Sequence, residues 1–135
     1  MSDNTIFATA QELLTQGATQ LSAHALQENL TGRCFLGRWR PPFHYVICFD
    51  VDGTMWGENN YGTQDRGQWV IDAQSGALSV VWQSYWENLN TLGYALNSVL
   101  HLHDAETGAW GTSLLKEIDA TEVAAFQQAP IYPAQ

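Results

Sequence analysis

Apolar positions recur at helical spacing only near the two ends of the chain. Ile6, Phe7, Ala10, Leu13 and Leu14 form one such stripe, and Gly17 stops it. Ser22 then stands at an N-cap position for a helix over Ala23 to Leu30, with Leu21, Ala25, Leu26 and Leu30 on one stripe and Gly32 beyond the end. From Arg33 the period changes to two. Short runs rich in Val, Ile, Trp, Tyr and Phe predict strands at Cys34 to Gly37, Phe43 to Val51, Thr54 to Asn59, Gly67 to Asp72, Ala77 to Gln83, Leu92 to Leu102 and Trp110 to Glu117. Turn signals at Asp52-Gly53, Ser75-Gly76 and Thr107-Gly108 separate them. Asp119, with Glu122 at capping-box spacing, predicts a closing helix that runs to Gln128, before Pro130.

Strand parity sharpens this pattern. Leu78, Val80 and Trp82 share one face, opposite Ser79, Val81 and Gln83; Trp69 and Ile71 oppose Gln68 and Asp72. Sheets with one wet face are antiparallel. A meander without inserted helices favours an up-and-down barrel of about eight strands, because closure removes the sheet edges; a half-open roll is the alternative. The expected architecture is mainly β: one antiparallel barrel domain over residues 1–135, with a helical segment 1–32, a meander 33–117, and a helix and tail 118–135.

Composition narrows the partners. A chain of 135 residues suits one domain. The net charge of −9, from 5 basic and 14 acidic residues, repels phosphate backbones and anionic bilayers, so neither nucleic acid nor a membrane surface is expected as a partner. No apolar run approaches the roughly 18 residues of a spanning helix, and the first residues lack the features of a secretion signal, so a cytoplasmic location is expected. Cys34 and Cys48 are too few for a disulfide framework and are expected to be reduced core thiols. A small-molecule ligand and a second copy of the chain are the candidate partners. No dinucleotide, P-loop, nucleophile-elbow or zincin motif occurs, and no cofactor or metal is assigned.

The string Val46-Ile-Cys-Phe-Asp50-Val-Asp52-Gly53-Thr54 resembles the opening motif of haloacid-dehalogenase-type phosphatases. The resemblance implies Asp50 as nucleophile, Asp52 as general acid/base and magnesium between them, on a parallel sheet with crossover helices. A hairpin with Asp52-Gly53 at its turn accounts for the same string without chemistry. Gly37-Arg38-Trp39 resembles the lipocalin G-x-W signature, which implies that Trp39 closes the base of a barrel. A broader pattern from Ala10 to Leu115 joins a helix, an Asp52-Gly53-Thr54 hairpin, Gly67-Gln-Trp69 and Gly76-Ala-Leu78-Ser-Val-Val-Trp82. It resembles the lipocalin-like (calycin-type) bacterial domains of the DUF995 type and implies their small β-barrel. Trp82, Trp86 and Trp110-Gly-Thr-Ser113 are similar to avidin-type barrels, whose pockets carry tryptophans and small hydroxyl residues.

In Val99-Leu-His101-Leu-His103-Asp104, period two points both imidazoles to one side and Leu100 and Leu102 to the other. A solvent face, a ligand contact and a metal pair, with His44, Asp50 or Asp104 as a third donor, all fit this spacing. The six tryptophans either fill the interior or grip a ligand, and Trp86, in the polar segment Gln83 to Asn90, suits a mouth residue. The expected function is binding of a small, partly apolar or aromatic molecule in the barrel mouth by His44, Tyr45, Trp82, Trp86, His101 and His103. An enzymatic form would be an acid/base isomerase or cyclase in which His101 and His103 move the proton. A protein-interaction module whose acidity steers a basic partner is the second reading, and the phosphatase the third.

Overall fold

The computed structural model describes residues 8–128. Helix α1 (Ala10–Thr15) leads through the two-residue strand β1 (Thr19–Gln20) to α2 (Ala23–Leu30). Eight strands follow: β2 (Arg33–Arg38), β3 (His44–Phe49), β4 (Thr54–Asn59), β5 (Gln64–Ile71), β6 (Leu78–Trp82), β7 (Leu89–Leu96), β8 (Val99–Asp104) and β9 (Trp110–Ile118). Each pairs antiparallel with the next, and β9 pairs back onto β2, so the sheet closes into an eight-stranded up-and-down barrel. β1 adds to β7 through Thr19↔Ala95 and Gln20↔Tyr94, and α3 (Ala120–Gln128) ends the described chain.

Local chemistry explains the boundaries. Ser22 Oγ accepts the Ala25 N–H and caps α2; Asp119 Oδ1 accepts the Glu122 N–H and caps α3. Thr9 and Glu12 form a reciprocal capping box on α1. The expected residues Ile6, Phe7 and Pro130 lie outside the described residues. Aspartates hold several hairpin turns by accepting backbone N–H groups two or three residues on: Asp52 from Thr54, Asp72 from Gln74 and Ser75, Asp104 from Glu106 and Thr107. Part of the acidic surplus therefore shapes turns.

Three expectations change. The run Leu92 to Leu102 is a hairpin and not one strand: β7 and β8 turn at Asn97 and Ser98, with φ of 51° and 66°. Consecutive left-handed residues give the turn whose twist matches the flanking strands, here without the glycine that signals it in sequence. Cys34 and Cys48 are not free core thiols. They are directly opposite in the β2–β3 register, 4.0 Å apart at Cα, and form a disulfide on the outer face of the barrel beside Val123 of α3. Asp50 and Asp52 sit in the β3–β4 turn, where Thr54 Oγ donates to both, within a barrel that is antiparallel throughout. The parallel sheet that the phosphatase reading relies on is not the setting of this string.

One end of the barrel is plugged. Leu26 and Leu30 of α2, both fully buried, pack among Phe35, Phe49, Met55, Trp69 and Leu78. Burying two leucines contributes about 3–6 kcal/mol of transfer free energy. The opposite end, where the connections 39–43, 60–63, 83–88 and 105–109 lie, leads into a cavity.

Candidate functional site

A cavity of about 440 Å³ remains inside the barrel, within the roughly 300–1,000 Å³ of small-molecule sites. Alternation along each strand sets its wall. Tyr45, Ile47 and Phe49 come from β3, Val80 and Trp82 from β6, Leu89 and Thr91 from β7, Leu102 from β8, Thr112 and Leu114 from β9. Trp39, Phe43, Asn59, Thr63, Tyr85, Trp86 and Glu87 surround the opening. The wall is therefore mostly aromatic and aliphatic.

Trp86 folds inward from the β6–β7 connection. Its ring lies 4.6 Å from Trp82 and 5.7 Å from Tyr45, centroid to centroid. Gly57 makes this position available: a Cβ there would stand 2.5 Å from the Trp86 ring. Asp65 holds the connection in place. This side chain, 5% exposed, accepts the backbone N–H groups of Arg66 (2.8 Å), Ser84 (3.2 Å), Tyr85 (2.7 Å) and Trp86 (3.0 Å). Burial pushes its carboxyl up, but the four N–H donors outweigh burial and keep it below the usual carboxylate value. Asn88 closes the same turn by accepting the Trp82 N–H at 2.7 Å.

The polar groups in the wall divide into used and unused. Thr112 Oγ1 donates to the Arg38 carbonyl at 2.7 Å, so the Tyr45 hydroxyl donates to Thr112 at 2.6 Å and keeps its own oxygen as an acceptor. Burial pushes the Tyr45 phenol well up, with the Thr112 bond opposing, and it stays protonated at neutral pH. Trp86 Nε1 and Thr91 Oγ1 are buried and meet no protein partner. Buried polar atoms are normally satisfied, so these two stand out; both are sealed within the packing and out of reach of a molecule in the chamber.

The structure separates the six residues expected from sequence. Tyr45, Trp82 and Trp86 come together in the cavity wall. His44 alternates with Tyr45 and lies on the outside, where burial, then the nearby Arg38, hold its imidazole below the usual value. His101 and His103 share one side, opposite Leu102, and that side also faces away from the cavity. They pair across β7 with Tyr94 and Leu92, which pack with Leu13 of α1. His101 Nδ1 is 2.7 Å from Ser113 Oγ, which also accepts Trp110 Nε1–H at 2.8 Å. His103 Nδ1 donates to the Gly108 carbonyl at 2.9 Å, which leaves Nε2 as a lone pair, buried without a partner. Burial keeps this ring neutral, although the Gly108 bond opposes it. Both imidazoles are thus buried and not solvent-facing, and the barrel wall stands between them and the cavity.

The tryptophans divide in the same way. Trp39, Trp82 and Trp86 line the cavity. Trp69 packs at the closed end, donating to the Asp50 carbonyl; Trp56 lies on the outer face beside α3, and Trp110 donates to Ser113 next to His101. Trp39 stands at the open end of β2, opposite the base position that the G-x-W resemblance implies. Sequence reading missed Thr91, Thr112 and Asp65 as site residues. Parity could have found Asp65, which alternates with Gly67 and Trp69 on the inward face of β5.

Fold and site together define an eight-stranded antiparallel β-barrel, closed at one end by a helix and hollow toward the other. A scan of known protein-family models finds no match for the chain, and a search of curated proteins finds none either.

Proposed function

We propose that this chain is a lipocalin-like binding protein that takes a small, largely apolar or aromatic molecule into the barrel cavity. The observation that carries the reading is a chamber of about 440 Å³ with a mostly aromatic and aliphatic wall, with Tyr45, Asn59, Thr63 and Thr112 among the polar exceptions along its length. Apolar area supplies the affinity of such sites, and a few polar atoms set the orientation. Neither His101 nor His103 is in the wall, so proton transfer by them in an isomerase or cyclase is not part of the proposal.

Native mass spectrometry of freshly purified protein tests it. The expected spectrum contains a small molecule bound one to one, absent from a Leu102→Trp variant whose indole fills the chamber. Equal ligand occupancy in wild type and Leu102→Trp would refute a cavity site. So would failure of the protein to take up any apolar aromatic probe when soaked with a panel of them.

A further inference from the structure

The mouth of the chamber differs from its interior in charge and in ring content. Among the described residues, the wall contains no Lys, Arg or His, and its one carboxylate, Glu87, stands at the opening. Glu87 is exposed, and no hydrogen bond or ion pair joins it to another described residue. Trp39, Phe43, Trp82, Tyr85 and Trp86 line the same end. They gather in part as pairs, Trp39 against Phe43 with 5.5 Å between centroids and Trp82 against Trp86 with 4.6 Å. Tyr85 is 76% exposed, and the backbone N–H that Asp65 accepts holds it at the rim.

The face of an aromatic ring is negative, so it attracts a cation, and tryptophan does so most strongly. One such contact already stands outside the wall, where the Arg40 guanidinium lies 5.4 Å from the Trp39 ring centroid. A carboxylate beside several rings favours the same sign of charge. The net charge of −9 favours it again, by raising the concentration of cations near the protein. An anion at this end would meet Glu87 with no basic side chain in the wall to offset it. Deeper in, Ile47, Val80, Leu102 and Leu114 are aliphatic, and a charge among them would lose its hydration without gaining a partner. The two regions suit an occupant with two unlike ends. A primary ammonium brings three N–H donors that need acceptors, whereas a quaternary head needs none and matches a mouth of rings and one carboxylate.

Resting on the binding reading above, we infer that the chamber takes amphiphilic cations, small molecules with an apolar body and a quaternary ammonium head. The body lies inward toward Ile47 and Val80. The head stays at the mouth, among the tryptophan faces and beside Glu87, where it keeps part of its hydration. Packed at ordinary interior density, the chamber accommodates a body on the order of 15–20 non-hydrogen atoms. Fatty acids and other anionic amphiphiles are rejected by the same charges.

Equilibrium dialysis of the full chain against three probes of one shape tests this: (2-naphthylmethyl)trimethylammonium, its carbon isostere 2-neopentylnaphthalene, and 2-naphthylmethanesulfonate. The cation is expected to bind about tenfold more tightly than the neutral probe, the worth of cation–π contacts in a partly desolvated mouth. The sulfonate is expected to bind more weakly than both. In Glu87→Gln, which keeps the size of an exposed side chain and removes its charge, the cation loses about three- to fivefold and the neutral probe changes little. In Tyr85→Leu, which removes an exposed ring, the cation loses about two- to fivefold with the neutral probe again little changed. Equal affinities for cation and neutral probe, or a cation preference that neither variant moves, would overturn this inference while leaving the cavity reading standing. Tightest binding of the sulfonate, the result that Arg40 at the rim would give, would do the same. Failure of all three to bind, or undiminished binding of them to Leu102→Trp, would overturn both.

Discussion

Replacing Asp65 by asparagine keeps the size of the side chain and removes its charge. The two short contacts, from Tyr85 N at 2.7 Å and Trp86 N at 3.0 Å, go to one oxygen, and the other oxygen accepts from Arg66 N at 2.8 Å. An asparagine can satisfy one side, but its NH₂ then faces backbone N–H donors on the other. Hydrogen bonds to a charged acceptor contribute about 1.5–3 kcal/mol each and neutral ones about 0.5–1.5. Weakening one pair and opposing donors across the other should cost about 2–4 kcal/mol. For a chain of this size that lowers Tm by roughly 10 °C. The pH dependence has a definite sign. The folded carboxyl lies below its ordinary value, so the stabilisation is complete above the unfolded value of about 4 and is lost as pH falls through the folded one. Wild type should lose this contribution below about pH 4, and Asp65→Asn should lack that part of the acid slope. Calorimetry from pH 7 to pH 2.5, with tryptophan emission followed alongside, makes the comparison. Emission of the variant should shift to the red as Trp86 leaves the barrel mouth. Unchanged Tm and an unchanged acid slope would refute the anchoring role of Asp65.

Gly57→Ala places a methyl group against the Trp86 ring, so the indole should swing outward. Solvent quenching of tryptophan emission should rise and affinity for cavity ligands fall, and a wild-type quenching profile would count against the inward position. Leu26→Ala and Leu30→Ala each empty a fully buried site in the plug and should cost about 2–5 kcal/mol in denaturant titrations; a loss under 1 kcal/mol would mean that α2 does not seal the barrel. The Cys34–Cys48 bond closes a short loop, with 14 residues of sequence separation, and its removal in Cys34→Ser/Cys48→Ser should cost about 3 kcal/mol on the chain-entropy account. Intact mass under non-reducing conditions should be two hydrogens below that of the reduced chain, and free-thiol titration of the unfolded protein should find none. Such a bond persists in oxidising surroundings, so the same measurement on protein taken directly from its native compartment bears on the cytoplasmic expectation.

Elements whose signals are local were legible in the order of residues alone. Ser22 and Asp119 are helix caps because of hydrogen bonds within one turn, and β4 runs from Thr54 to Asn59 because an Asp-Gly turn precedes an alternating run. The alternation in β5 and β6 and the barrel class also follow from local pattern. Features that depend on which strand lies opposite and which face looks inward came only with the closed barrel. Cys34 meets Cys48 only through the β2–β3 register. Period two places His101 and His103 on one side of β8, but both sides of that strand are buried, one against the cavity and one against the α1 layer, so pattern could not tell interior from exterior. The Asn97-Ser98 turn lacks a glycine and reads as continuous strand until the chain reverses. The tryptophans show the same division most plainly. Their number can be read from the sequence, whereas Trp86 lies within the cavity because Gly57, on another strand, leaves room and Asp65, on a third segment, ties down its backbone.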